Sequence, residues 1–331
     1  MSSFDVFGMC NPLFDVQAEV SDALLADIGL QKGTMSLLEE AEGHTLLARV
    51  AEHIVNAEPG GSGANTMIGV AMLGGSACYT GKLADDERGR LYMQGMEDRG
   101  VTFAAPVGAG ATGTCVVLLT PDAERTMGTF LGSCRSLAPP DVDVERLKSS
   151  RYLYATAYLW DTASQREAVT KAMLEARAGG TRVAFSLSDT FCVTRNKPEI
   201  LALMKEHVNI VIGNEQEACT LTGEHDARRA AARLAEHADI AVVTQGANGS
   251  VIIEDGHAVT VPAYPATPVD TTGAGDVYAA GILHAVTHDL GLQCGAHIGG
   301  LLASRVVSKL GARLDEIPWS DVDRIVERYA A

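Results

Sequence analysis

The sequence predicts an α/β fold of three layers, with helices on both faces of a mostly parallel central sheet, and a small β-sheet lid added to it. From Tyr152 onward, short apolar runs at 152–155 and 182–185 alternate with helical stretches such as Ser164–Arg177. This alternation is typical of βαβ units, which build parallel sheets covered on both faces. Phe14–Val20 instead alternates apolar and polar residues, as a strand with one solvated face does. The second pattern predicts the lid.

The N-terminal half supplies the first strand and the segments of the lid. Residues 4–10 predict a buried strand, Glu39–Ala57 predicts a helix, and a glycine-rich loop at 60–66 opens the next helix. Thr114–Thr120 and Arg125–Leu131 flank a polar turn and predict a hairpin. We therefore expect a large domain made of residues 1–13, 41–105 and 134–331, and a lid made of residues 14–40 and 106–133.

Composition and charge narrow the class of protein. The 331 residues are 47% hydrophobic and carry a formal net charge of −16, so they can bury a large core but suit neither nucleic acid nor an anionic membrane surface. The seven cysteines are scattered without a Cys-x-x-Cys pair, which argues against a zinc site or a disulfide framework. Free thiols and the lack of a basic, apolar leader favour a cytoplasmic protein.

Residues 270–276, Asp-Thr-Thr-Gly-Ala-Gly-Asp, are the most informative stretch of the chain, and an apolar helical segment follows them directly. The free N–H groups of a helix start attract anions, and small residues let a phosphate approach the backbone. A carboxylate at the end of such a loop, Asp276, is suited to take a proton from a hydroxyl that attacks the phosphate. The alternative is an ordinary helix cap.

Other phosphate motifs fail on their context. Gly108–Gly113 matches a dinucleotide fingerprint, but a β run follows it where a helix is required. Gly81-Lys82 lacks the glycine spacing of a P-loop. A Rossmann dehydrogenase is therefore excluded, and the phosphate chemistry depends on residues 270–276.

Asn214 and Glu217 follow the apolar strand 209–213, at the kind of strand end where open α/β sheets bind ligands. Their oxygens are hard ligands of the type that Mg²⁺ prefers, often through its waters. The same pair also makes an ordinary helix cap. Thr244 and Gly246 lie at the end of the next strand, in a segment that a plain turn would also explain.

Taken together, the heptapeptide and the Asn-x-x-Glu pair resemble motifs of the ribokinase (PfkB) family of sugar and nucleoside kinases, and the resemblance covers nearly the whole chain. It implies a ribokinase-like fold, ATP and Mg²⁺ as cofactors, and a monovalent cation such as K⁺ near Asp270. It implies that Asp276 is the catalytic base and that the amides of Gly273, Ala274 and Gly275 form the anion hole. It places Mg²⁺ near Asn214 and Glu217 and ATP near Asn214, Thr244, Gly246, Thr272, Gly300 and Ala303. Close helix packing would also explain Gly300 and Ala303.

The substrate end resembles the adenosine kinases of this family more than the ribokinases. Residues 8–15 contain Asn11 and an Asn-Pro-Leu-Phe-Asp run that ends at Asp15, the residue which would grip the 2′ and 3′ hydroxyls of a ribose. The resemblance also assigns Gly61, Ser62, Asn65 and Cys115 to the substrate, Tyr158 to stacking on a base, and Arg125 to a phosphate. Cys10, Met35 and Thr272 depart from the adenosine kinase pattern, and Met35 replaces a glutamine near the base.

These residues predict an ATP-dependent kinase that phosphorylates the 5′-hydroxyl of a nucleoside, with adenosine as the leading substrate. A sugar kinase acting on ribose, fructose or a keto-deoxy sugar acid keeps the same fold and chemistry. A non-catalytic sensor of nucleosides or sugars is the third alternative, although it would not need Asp276. The expected partners are the small-molecule substrate and ATP, and the protein is expected to be a monomer or a homodimer.

Overall fold

The computed structural model describes residues 4–122 and 124–330. Its central feature is a nine-stranded sheet in which seven neighbouring strands are parallel and the two strands at one edge pair antiparallel. In spatial order its strands are β16 (His257–Val261), β15 (Ser250–Glu254), β14 (Ile240–Thr244), β13 (Ile210–Asn214), β12 (Arg182–Ser186), β11 (Ser150–Thr156), β1 (Phe4–Met9), β5 (Ala77–Thr80) and β7 (Val101–Phe103).

Helices cover both faces of this sheet because successive strand residues point to opposite sides. Val6 and Tyr152 belong to a buried cluster with one set of helices, and their neighbours Phe7 and Leu153 belong to a cluster with the other set. The first set comprises α3 (Ser62–Met72), α4 (Glu87–Glu97), α10 (Ala274–Thr287) and α11 (Leu292–Val306), with α12 (Trp319–Tyr329) packed outside α11. The second set comprises α5 (Val144–Lys148), α6 (Ala163–Gly179), α7 (Thr190–His207), α8 (Glu215–Thr222) and α9 (Ala227–Leu234).

A second sheet of five strands lies beside the first. Val16 on one face of it belongs to the same buried cluster as Leu46 and Leu47 of a helix. The sheet has the order β3 (Met35–Leu37), β10 (Arg125–Gly132), β9 (Thr112–Leu119), β2 (Leu13–Glu19) and β4 (Ile54–Gly60), and its helices are α1 (Asp22–Ile28) and α2 (Glu40–Arg49). A two-stranded ladder joins β6 (Leu83–Ala84) to β8 (Val107–Gly108).

The predicted fold class is confirmed, including the mostly parallel central sheet and the smaller sheet. The predicted hairpin is the antiparallel pair β9 and β10. The helix prediction for Glu39–Ala57 was wrong in its C-terminal part, because α2 ends at Arg49 and the chain continues as β4. The second sheet therefore contains a strand from outside segments 14–40 and 106–133, and the division into lid and large domain stays a prediction.

Residues 1–3, 123 and 331 fall within the predicted domain segments but lie outside the described residues. Across residues 4–122 and 124–330, none of the helices combines the length and hydropathy needed to cross a membrane.

Candidate active site

The predicted anion-binding turn lies at the N-terminus of α10. Gly273 is the N-cap residue with φ 78°, and a Cβ there would collide with the carbonyl oxygen of Ala312. The turn therefore needs glycine at 273 both for its backbone angle and for close packing. A Cβ at Gly275 would meet open space instead. This leaves room for a ligand in front of the free N–H groups of the first turn.

Asp276 lies in the first turn of α10 and faces the start of α3. Ser62 Oγ donates to its Oδ1 at 2.6 Å, and Asn65 Nδ2 donates to its Oδ2 at 2.9 Å. Burial raises the pKa of Asp276, while these two hydrogen bonds and the charge of Arg313 act in the opposite direction. Each carboxylate oxygen keeps a second lone pair, so a substrate hydroxyl can still donate to it.

Arg313, which we did not predict, belongs to the same cluster. It lies in the loop after α11, where its Nε donates to Asn65 Oδ1 at 2.8 Å and its Nη1 donates to Glu58 Oε2 at 2.9 Å. Arg99 Nη2 donates to the same Glu58 oxygen at 3.0 Å. The sequence signal, a single arginine after Gly311-Ala312, carries no motif of its own, so this cluster emerges only from the fold.

Asp15 lies on β2, opposite Glu58 of β4 in the register of the second sheet. Its carboxylate occupies the space that a Cβ at Gly60 would need, so glycine at 60 lets Asp15 lie against the turn into α3. Burial raises the pKa of Asp15 to about 7; Arg313 acts to lower it, and Glu58 and Asp276 add to the rise. Gly61, with φ 88°, completes the turn. The structure thus brings the predicted residues Asp15, Gly61, Ser62, Asn65 and Asp276 together.

Two other predicted substrate residues have most of their polar groups engaged within the protein. Asn11 Nδ2 donates to the carbonyl of Tyr158 at 3.2 Å, and Asn11 Oδ1 accepts from the buried Gln165 Nε2 at 2.8 Å. Tyr158 donates its hydroxyl to the carbonyl of Ser188 at 3.3 Å and is partly buried. Asn11 therefore ties the end of β1 to α6, while the ring of Tyr158 is held at the same end of the sheet.

The second sheet contributes Cys115 and Arg125. Cys115 Sγ accepts from Thr129 Oγ1 at 3.2 Å, and burial raises the pKa of Cys115 to about 12, so this thiol stays protonated. Arg125 Nη1 donates to Thr272 Oγ1 at 2.8 Å, and its Nη2 lies 2.8 Å from Asp270 Oδ2. Arg125 thereby joins the second sheet to the anion-binding turn.

An apolar cavity of about 470 Å³ lies beside the N-terminus of α10 and is suited to a flat ring. Its lining includes the predicted residues Gly246, Gly300, Ala303 and Ala274. A Cβ at Gly300 would contact the ring of Tyr264 at 3.4 Å, and a Cβ at Gly246 would meet open space. Thr244 and Thr272 lie outside the lining, although Thr244 ends β14 next to Asn214 in the register.

Asn214 and Glu217 form a reciprocal cap at the start of α8. Glu217 Oε1 accepts from Asn214 Nδ2 at 2.6 Å, and Glu217 N–H donates to Asn214 Oδ1 at 2.9 Å. Burial raises the pKa of Glu217 to about 7, with Asp189 and Asp276 adding to the rise. In the described part of the chain, no three His, Cys, Asp or Glu side chains form a metal cage. The pair fits a divalent metal ion that keeps its waters and phosphate ligands, since a cation relieves the buried negative charge.

Comparison with known proteins identifies the family to which this chain belongs. The model of the pfkB family carbohydrate kinases matches residues 35–319. An adenosine kinase from Sinorhizobium meliloti is 36% identical with a TM-score of 0.87, over 98% of this chain and 99% of that one. A probable sugar kinase from Rhizobium etli CFN 42 is 33% identical with a TM-score of 0.88, over 99% of both chains. A 5-dehydro-2-deoxygluconokinase from Shouchella clausii (strain KSM-K16) is 28% identical over 280 residues, which cover 81% of this chain and 86% of that protein.

The family match covers most of the chain, and a glycine-rich turn at a helix N-terminus, a partly buried carboxylate and an apolar cavity lie together at one edge of its sheet. Membership implies ATP, a divalent metal ion and a small-molecule substrate. The chain belongs to the PfkB family of carbohydrate kinases and is a phosphotransferase with an alcohol group as acceptor.

Proposed function

We propose that this kinase transfers the γ-phosphate of ATP to the 5′-hydroxyl of a nucleoside, with adenosine as its main substrate and AMP as the product. The observation that carries the proposal is the position of Asp15, whose carboxylate lies against Gly60 in the same cluster as Asp276. A carboxylate accepts hydrogen bonds from two adjacent hydroxyls, as the cis-diol of a ribose offers. A substrate held at Asp15 by its diol has its 5′ end free to reach Asp276.

The exposed side of the second sheet suits the base of such a substrate. Met35 and Leu37 of β3 are 41% and 46% exposed, and both are large apolar side chains. Strand alternation places them on the same face of the sheet as Arg125, which is next to them in the register through β10 and contacts the anion-binding turn. The ring of Tyr158 supplies a flat surface from the large sheet. A purine that binds on this apolar face buries apolar surface, which favours binding. A small, hydroxyl-rich sugar buries little apolar surface and gains little from the same contact.

In this proposal, the residues already described each have a role in the transfer of the phosphoryl group. Asp276 takes the proton of the attacking hydroxyl, while Ser62 and Asn65 hold its carboxylate in place. The N–H groups at residues 273–275 stabilise the charge on the transferring phosphoryl group. Arg125 lies beside this turn, where its Nη1 donates to Thr272 Oγ1, and its Nε is buried without a hydrogen-bond acceptor, so this one donor is left for a phosphate. Mg²⁺ near Asn214 and Glu217 would neutralise the charge of the triphosphate.

A sugar acid kinase is the second candidate, favoured by the relatives named 5-dehydro-2-deoxygluconokinase. A substrate carboxylate needs a cationic partner, and two arginines lie at this site: Arg313 beside Asn65 and Arg125 beside Thr272. Both, however, are already paired with the carboxylates of Glu58 and Asp270. A neutral nucleoside meets no such competition, and for this reason we favour it.

The test is ATP consumption with a panel that contains adenosine, other nucleosides, ribose, fructose and 5-dehydro-2-deoxygluconate. We expect the highest kcat/KM for adenosine, with the phosphate found on the 5′ oxygen by NMR. A higher kcat/KM for the sugar acid, or for a free sugar, would replace the nucleoside proposal by the second candidate.

A further inference from the structure

We infer that Arg313 is a positioning residue for phosphoryl transfer, because it fixes the side-chain amide of Asn65 in the orientation that donates to Asp276. This inference rests on the proposed role of Asp276 as the base. Arg313 belongs to no recognisable motif and reaches the site from the loop after α11.

The donor and acceptor groups around Asn65 determine how its side-chain amide is oriented. An arginine guanidinium only donates, and a side-chain amide donates on one side and accepts on the other. Arg313 Nε lies 2.8 Å from Asn65 Oδ1, so the oxygen of Asn65 is held toward Arg313. The NH₂ group must then face Asp276, where Nδ2 lies 2.9 Å from Oδ2. With the amide reversed, its oxygen would face a carboxylate and its NH₂ would face a cation, and both contacts would be repulsive.

Charge gives Arg313 a second effect on the same group. Burial raises the pKa of Asp276, and the positive charge of Arg313 is among the influences that lower it. The charge of Asp276 is in turn among the influences that raise the pKa of Asp15 and of Glu217, so several carboxyl groups lie close together here. Arg313 therefore helps Asp276 to stay ionised in a region crowded with negative charge.

Glu58 holds Arg313 in position. The side chain of Arg313 is 11% exposed, and its Nη1 donates to Glu58 Oε2 at 2.9 Å. Glu58 lies near the end of β4, three residues before Gly61, the N-cap residue of α3. The fork of the guanidinium thus spans the end of the second sheet and the helix that carries Asn65, and a side chain without that planar fork cannot make both contacts at once.

Arg99 provides a matched control within the same chain. Its Nη2 donates to the same Glu58 oxygen at 3.0 Å, and its Nη1 donates to the carbonyl of Gly95 at 3.0 Å. Replacing Arg99 thus disturbs Glu58 without touching the amide of Asn65. The experiment compares Arg313→Gln, Arg313→Lys and Arg99→Gln in the full chain, with kcat and KM for adenosine and ATP over a range of pH.

We expect Arg313→Gln to lower kcat by about 10- to 100-fold, with KM for both substrates changed by less than about threefold, because the base is misplaced while binding persists. The acidic limb of the kcat profile should move to higher pH, since Asp276 loses a cation. Arg313→Lys should keep the position of that limb and recover only part of kcat. Arg99→Gln should leave both kcat and the limb close to those of the wild type.

A double-mutant cycle with Asn65→Ala tests the route of the effect. If Arg313 acts through Asn65, Arg313→Gln costs much less kcat in the Asn65→Ala background than in the wild type. Unchanged kcat for Arg313→Gln, or full additivity with Asn65→Ala, overturns the inference. If Arg313→Gln does not fold, as judged by its thermal transition, the lysine variant and its cycle decide in the same way.

Asp276→Asn is measured in parallel and separates this inference from the proposed function. An inactive Asp276→Asn with a fully active Arg313→Gln leaves the base in place and removes only the role of Arg313. Near-normal turnover of Asp276→Asn contradicts the role of the base itself.

Discussion

Arg125 of the second sheet and Asp270 of the anion-binding turn form a buried ion pair, with Nη2 at 2.8 Å from Oδ2 and side chains 12% and 4% exposed. Asp270 also accepts from the N–H groups of Thr272 at 3.0 Å and Gly311 at 2.8 Å. The carboxylate on which a K⁺ site was expected therefore already has a cationic partner. The K⁺ site remains a prediction, and the ion pair offers a way to test it.

We predict that Arg125→Gln raises KM for ATP and lowers the free energy of unfolding by about 3 kcal/mol, because the carboxylate of Asp270 then stays buried without a cationic partner. Urea unfolding and steady-state kinetics measure the two effects. Arg99→Gln breaks a pair whose side chains are 35% and 30% exposed, and it should cost less than about 1 kcal/mol.

The stability of the variant Arg125→Gln in KCl also tests the expected K⁺ site at Asp270. If a monovalent cation can neutralise Asp270, KCl should restore stability to Arg125→Gln, while N-methylglucamine chloride at equal ionic strength should not. Equal effects of the two salts would argue against a specific cation site at Asp270.

We also predict that Asp276→Asn lowers kcat by about two to four orders of magnitude, the usual contribution of a general base. Its affinity for ATP and adenosine, measured by calorimetry, should stay close to that of the wild type. Ser62→Ala removes one hydrogen bond to Asp276 and leaves the base, so its loss of kcat should be smaller. Similar kcat values for Asp276→Asn and the wild type would contradict the assignment of the base.

The sequence was informative about this site where the site is built from neighbouring residues. The turn at 270–276 could be predicted as a helix start that can hold an anion because such a turn needs glycine and small residues in sequence, and its place at the N-terminus of α10 agrees with that prediction. Arg313 could not be predicted in this way, because its partners Asn65 and Glu58 are 248 and 255 residues away in the chain. Their proximity results from the packing of the loop after α11 against α3 and β4.

Strand β4 is a second feature that the local sequence pattern did not predict. Residues 51–57 extend a helical segment and contain good helix formers, yet Ile54–Gly60 pairs with β2 over most of its length. Pairing with a neighbouring strand outweighs intrinsic helix propensity, which amounts to a few tenths of a kcal/mol per residue. The helical periodicity of 40–49, by contrast, has a buried face at Leu46 and Leu47 and was predicted correctly.

Asp15 yields a prediction about pH. Its pKa of about 7 in the free protein means that it is partly protonated near neutrality, and a protonated carboxyl accepts fewer hydroxyl hydrogen bonds. We therefore expect KM for adenosine to rise as pH falls through 7, whereas Asp15→Asn should show a higher KM with little dependence on pH in that range. Gln17→Ala, two residues further along the same strand, is the control and should keep the wild-type pH profile.

The variant Asp15→Ala measures how much the Asp15 carboxylate contributes to the binding free energy of adenosine. Asp15→Ala loses two charge-assisted contacts to the diol, which together cost about 3–6 kcal/mol of binding before water compensates. Calorimetry with adenosine should show this loss, while ATP affinity stays unchanged. An unchanged affinity for adenosine would mean that Asp15 does not hold the ribose.

The second sheet should behave as a lid that closes over the nucleoside and excludes water, which would otherwise accept the phosphoryl group. Its contacts with the anion-binding turn run through Arg125, and its strand β2 carries Asp15, so a bound nucleoside would touch both sides of the cleft. Adding adenosine should therefore slow amide hydrogen exchange in β2, β4, β9 and β10 together, although these strands are far apart in sequence.

The central strands β12 and β13, whose amides are paired within the large sheet, provide the internal control and should be unaffected. The variant Asp15→Ala should lose the protection at the same adenosine concentration, since the ligand then lacks its hold on the sheet. Protection confined to the turn at 270–276 would mean that the second sheet is static and does not act as a lid.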